Sequence, residues 1–204
     1  MKGYRFWIRL SFLFVFLVVV AGGVVRMTGS GMGCPDWPKC FGMWVPPTDV
    51  SQLPENYQEI YAHRGYKDTS FNVFHTWTEY VNRLVGALAG IVVFITFLVS
   101  IPQFKKHMEI TIGSGVLVLL MGFQAWLGAV VVYSVLQPVK ITIHMLAALL
   151  ILSLILWLWN RAKGFDLIPS SKGLKKSMLV MLVLLLVQVG LGTQVRQWVD
   201  EMKN

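Results

Sequence analysis

The sequence predicts an all-α fold: a polytopic membrane helix bundle of about five transmembrane helices with a large first outer loop. Three observations carry this. Hydrophobic residues make up 55% of the 204 and charged residues only 14%, a balance suited to a polytopic membrane protein rather than a soluble domain. Five almost uncharged runs approach or exceed the roughly 20 residues needed to cross a ~30 Å hydrocarbon core. The net charge of +8 also falls on one side of those runs.

The first run, about Leu10–Val25, is the shortest, and Phe6, Trp7 and Ile8 extend it. Its basic start resembles a signal peptide. Its apolar stretch is too long for a typical h-region, so an uncleaved anchor is expected. The second run is Leu84–Phe104 and the third Ile110–Val139. The third is too long for one span and should end in an exit loop around Ser134–Val139. The fourth and fifth runs are Ile141–Asn160 and Ser177–Val195.

A cytoplasmic N-terminus puts Lys2, Arg5, Arg9, Lys105, Lys106, Arg161, Lys163, Lys172, Lys175 and Lys176 inside, against Glu109 and Asp166. The inner side then nets +8 and the outer side zero, as the positive-inside rule expects. The basic balance therefore needs no nucleic acid to explain it. Trp7, Trp157 and Trp159 fall near predicted interfaces, where amphipathic rings settle.

The outer segment opens with GGVVRMTGSGMGCPDWPKCFG and continues through a polar, proline-punctuated stretch. It reads as a cap over the outer helix ends. Its Cys34 and Cys40 are the only cysteines. In an oxidising compartment such a pair closes a disulfide or remains as two thiols. A metal site would need more thiolates or a nearby histidine.

Polar residues inside a membrane are functional by default. His75, Glu79, Asn82 and Arg83 are spaced by three and four, so on a helix they form one stripe near the outer surface. His144 lies about one turn into the fourth run at a similar depth, and Arg26 completes the layer. Each has a plainer reading: an i,i+4 ion pair for Glu79 and Arg83, a solvated loop position for His75, an interhelical hydrogen bond for His144. His63 and His107 fall in loops. Gly113, Gly115, Gly122 and Gly128 thin the third run, for close helix packing or to clear room for a flat ligand. An imidazole, glycine-lined helices and outer-edge cations are what a porphyrin and its propionates require.

The chain also echoes itself. VVAGGVVRMT near the end of the first run resembles VQVGLGTQVRQW in the fifth, and Gln-x-x-x-Gly recurs at Gln124/Gly128 and Gln188/Gly192. The fifth run therefore reads as the opening of a second copy of a four-helix unit.

GGVVRMTGSGMGCPDWPKC, EYVNRLVG, QAWLGAVVV and ITIHMLAAL, in this order, resemble the haem A synthase family of respiratory membranes. The resemblance implies two similar four-helix bundles, of which residues 1–160 are the first, with its outer loop at 26–78. Residues 161–176 are then a cytoplasmic linker and 177–204 the first helix of an incomplete second repeat. It implies oxidation of a methyl group of the substrate haem O to a formyl group, supplying haem A to terminal oxidases in the bacterial cytoplasmic membrane. It implies a Cys34–Cys40 disulfide, Glu79 as the acid acting in the oxidation, and His144 as a haem-iron ligand. Haem B is the implied electron-transfer cofactor, its site falling in the half beyond Asn204.

Two departures follow. The family's Glu-x-x-His-Arg reads Glu79-Tyr80-Val81-Asn82-Arg83 here, and asparagine is a poor iron ligand. Either His75 takes the second axial place or that side of the iron stays open, and the open site is favoured. The end at EMKN, without a return helix, predicts a piece of a longer protein; a chain complete at this length would call for a homo-oligomer to recreate two bundles. Haem O synthase and membrane lipid are the further expected partners. The competing reading is a non-catalytic cytochrome b-like electron carrier, and a third is a haem-free assembly factor that docks through its outer loop.

Overall fold

The computed structural model describes residues 1–67, 69–164 and 171–202. The expected all-helical architecture is present. Its elements are α1 (Lys2–Met27), the one-turn α2 (Tyr57–Ile60), α3 (Val73–Ser100), α4 (Met108–Tyr133), α5 (Pro138–Lys163) and α6 (Lys172–Glu201). All but α2 are long and apolar enough to cross a membrane, so the chain is a multi-pass membrane protein.

Boundaries follow local chemistry. Asn72 caps α3, its side chain accepting from the His75 N–H at 3.2 Å, which supplies one of the partners a helix start lacks. The α3 start at Val73 draws the polar stripe into the helix and, with α1 running to Met27, narrows the expected 26–78 loop to 28–72. Pro138 opens α5, where its missing N–H costs nothing. The exit loop expected at Ser134–Val139 is thus the short turn between Tyr133 and Pro138. Gly164 ends α5 at φ +70, a left-handed cap that glycine adopts without strain. Of the expected linker 161–176, residues 165–170 lie outside the described residues, and the two ends are helical.

α1, α3, α4 and α5 form the bundle, and α6 packs on α5. The inner half is a sealed core of Tyr4, Ile8 and Val15 with Ala89, Val93, Ile110, Leu117, Ile151, Ile155, Leu158 and Ala162. Hydrogen bonds cross it from Tyr4 to Ser114 (2.9 Å) and from Ser11 to Thr96 (2.7 Å). The Arg5 guanidinium donates to Ala162 O at 2.7 Å, answering a carbonyl that the end of α5 leaves open. On the outer side α6 joins α5 through Thr193 and Thr142, 2.7 Å apart.

The described residues between α1 and α3, 28–67 and 69–72, form a lid. Cys34 and Cys40 are disulfide-bonded with Cα atoms 4.9 Å apart, as the resemblance implied. The Asp36 carboxylate accepts the N–H groups of Phe41 (2.6 Å) and Gly42 (2.8 Å). Phe41 is ringed edge-on by Tyr57, Tyr61, Tyr66 and Phe71, an arrangement the aromatic quadrupole favours. Burial pushes the Tyr66 phenol well above its usual range, so it stays protonated and donates to Met32 O at 2.5 Å.

The lid is seated on α3 at Gly33. A Cβ there would lie 2.3 Å from His75 O and 2.8 Å from Thr76 N, so only glycine fits, and Thr76 Oγ1 then donates to Gly33 O at 2.9 Å. Tyr133 donates to Trp37 O (2.7 Å), Trp77 to Pro47 O (3.2 Å) and Tyr80 to Trp44 O (2.5 Å).

Two predictions follow from this packing. Gly33→Ala should unseat the lid at a cost of about 1–3 kcal/mol, read as faster proteolysis within 44–66 of the intact protein; unchanged cleavage would refute the close contact. A double-mutant cycle on Ser11→Ala and Thr96→Val in detergent should give a coupling of about 0.6 kcal/mol, whereas purely additive losses would mean the bond contributes nothing.

Candidate functional site: a hollow beneath the lid

Each bundle helix carries a long outer stretch with no buried residue: 16–24 in α1, 80–88 in α3, 118–126 in α4 and 138–150 in α5. Below these stretches every helix packs tightly, and above them the lid closes. Interiors pack to crystal-like density when nothing else must fit. The outer half of the bundle is therefore the less closely packed half, and it is the candidate hollow for a ligand.

Three polar atoms are buried in this layer without a hydrogen-bond partner: Asn82 Oδ1, Gln124 Oε1 and His144 Nδ1. Such orphans are rare because each forfeits the hydrogen bond it had in water. All three lie within the unpacked stretches. From His75, beside the lid at Ser30, Asn82 is seven residues inward along α3, and His144 is six residues inward from Pro138. At 1.5 Å per residue Asn82 lies ~10 Å inward of His75, and His144 lies ~9 Å inward of Pro138. The helices are thinned beside them. A Cβ on Gly22 would come 3.9 Å from Asn82 Oδ1, and one on Gly128 would come 3.6 Å from the His144 ring. Cβ atoms on Gly23, Gly86 and Gly122 would meet nothing within 4 Å.

The stripe predicted on α3 is one helix face, but its members have different tasks. Glu79 and Arg83 form an ion pair with side chains only 5% and 12% exposed. Glu79 Oε2 accepts the Cys34 N–H at 2.8 Å. Arg83 donates to the carbonyls of Asp36 (2.7 Å), Lys39 (2.9 Å) and Cys34 (3.3 Å). The guanidinium read from sequence as a propionate partner thus faces the inside of the disulfide loop. Asn82, three residues on, faces α1 and borders a cavity of about 440 Å³ with Ala21, Val24 and Trp77. His75 stands at the lid junction, with Nδ1 2.9 Å from Ser30 Oγ, itself 2.6 Å from Thr28 Oγ1.

Arg26 lines a second cavity, of about 430 Å³, between α1, α5 and α6 with Met145, Gln188 and Thr193. Met145, the residue after His144, borders this cavity too. Among the described residues no three His, Cys, Asp or Glu side chains converge as a metal cage. A macrocycle that brings its own equatorial ligands suits one imidazole in an apolar slot, and the Nδ1 of His144 is buried without a hydrogen-bond partner.

Sequence reasoning passed over Gln124 except as half of a repeat, although an amide in mid-span was itself a signal. It also passed over Gly33, Thr76 and Asp36, whose tasks depend on contacts between segments far apart in the chain.

A family model described as cytochrome oxidase assembly protein, COX15-CtaA, matches residues 5–203. A protein of Shewanella oneidensis named heme A synthase is 30% identical over 185 residues, covering 90% of this chain and 53% of that protein. Proteins of the same name from Methylobacterium radiotolerans and Flavobacterium johnsoniae are 29% and 28% identical, covering 92% and 86% of this chain and 54% of each relative. The chain spans about half the length of the curated relatives it matches. With a match over nearly its whole length, the chain belongs to the COX15-CtaA family of cytochrome oxidase assembly proteins.

Proposed function

We propose that this chain forms the haem O-oxidising bundle of a haem A synthase, in the bacterial cytoplasmic membrane with its N-terminus inside. One observation carries the reading: a lidded hollow in the outer half of the bundle with an unspent imidazole, His144, and an unspent amide, Asn82, at one depth. The lengths of the named relatives support α6 as the start of a second repeat, and haem B belongs to that repeat.

The substrate is haem O. The methyl carbon undergoes two successive two-electron oxidations to a formyl group. With dioxygen as oxidant the balance closes, one O2 consumed and one water released per methyl converted. The residues of this chain bind and enclose the substrate. His144 would offer its imidazole to the iron. Asn82 stands where the family's second histidine would be, and its amide would give the iron no second protein ligand. Arg26 meets a propionate from the rim. Glu79, one turn above Asn82 on the same face, is the acid at the roof of the hollow, and Arg83 fixes its direction. The lid excludes water from the reactive edge, which raises the strength of every charge inside.

Co-expression with a haem O source, followed by extraction and separation of the bound haems, tests the function; haem A or its hydroxylated precursor supports the enzyme. Haem B or O left unoxidised would favour a cytochrome b-like carrier instead. His144→Ala should purify without pigment while keeping its helical content, and full haem occupancy would remove His144 as ligand. Glu79→Gln should lower haem O oxidation by about 100-fold or more, the scale of a lost acid or base; because the change also breaks the ion pair with Arg83, lid proteolysis is read beside it, and undiminished oxidation would remove Glu79 as the acid.

A further inference from the structure

Gln124 is the polar side chain of the hollow that the proposed oxidation does not use. Its Nε2 donates to His144 O at 2.9 Å. A carbonyl can only accept, so this bond fixes which way the amide faces. The other end, Oε1, is buried with no partner. Gln124 lies one turn from Gly128, the glycine that faces the His144 ring, so amide and imidazole border the same space. A buried acceptor in apolar surroundings calls for a donor on the ligand, because it has given up the one water provided.

The edge of a haem offers few donors. Methyl and vinyl groups have no polar hydrogen, and ionised propionates are acceptors that an amide oxygen repels. Haem O differs from haem B in one peripheral group: a hydroxyl-bearing isoprenoid chain replaces a vinyl. We propose that Gln124 is a specificity-determining residue whose Oε1 accepts a hydrogen bond from that hydroxyl, selecting haem O over haem B. This rests on the hollow being the haem O site. Sites that hydrogen-bond a ligand hydroxyl discriminate strongly against analogues lacking it, since the site's own polar group is then left unpaired.

The test is a set of Soret titrations on the full chain. Wild type and Gln124→Met, which keeps side-chain volume, are each titrated with haem O and haem B. The variant should bind haem O about tenfold more weakly, the worth of ~1.4 kcal/mol, and haem B within about twofold of wild type. An equal loss for both haems would overturn the inference and leave Gln124 as a clamp between α4 and α5. Wild type is also titrated with haem O whose hydroxyl has been eliminated to an alkene. A matching loss of about tenfold supports the hydrogen bond without any variant, and equal affinity refutes it. Failure of wild type to bind any of the three haems would instead remove the site reading itself, together with the inference.

Discussion

A carboxylate and a guanidinium one helical turn apart, both nearly buried, hold the outer half of this protein together. Glu79 and Arg83 spend their hydrogen bonds on each other and on the backbone of the disulfide loop. Burying two charges is costly unless each is met by good geometry and further hydrogen bonds, and removing one partner of such a pair typically costs about 3–5 kcal/mol. Here the disulfide loop supplies those further bonds: one N–H to the acid and three carbonyls to the base. The Cys34–Cys40 bond and the Asp36 carboxylate hold the loop in the form that presents them. Lid and ion pair therefore stand or fall together.

The reason for a lid is what lies beneath it. The inner half of the bundle is closed by apolar packing and by hydroxyl bonds between helices. The outer half gives up that packing on all four helices at one level and leaves three polar atoms without partners. Both choices reduce the stability of the empty protein. A ligand that fills the volume and meets the orphaned atoms would recover it by mass action.

The five spans and the polar stripe were legible in sequence because hydropathy and helical spacing are local signals. The disulfide was legible through resemblance and by the absence of other cysteines. The direction in which each stripe residue points was not. Glu79 and Arg83 turn to the lid because Cys34, Asp36 and Lys39, more than forty positions away, come to lie over them. Gly33 reads as one turn former among several until His75 O is found against it. Gln124 looked like part of a repeat because its buried neighbour is a backbone carbonyl on another helix. Long-range contacts decide such roles, and no window of sequence contains them.

In the proposed complex with haem O, His144 would hold the iron and Asn82 would give it no second protein ligand. The most direct measurement is the spin state of the iron in the chain loaded with haem O, by electron paramagnetic resonance of the ferric form. With a single histidine on the iron, the expected signal is high-spin and converts to low spin on adding imidazole. A low-spin bis-imidazole signal in the unsupplemented protein, lost in His75→Ala, would contradict it and place His75 on the iron.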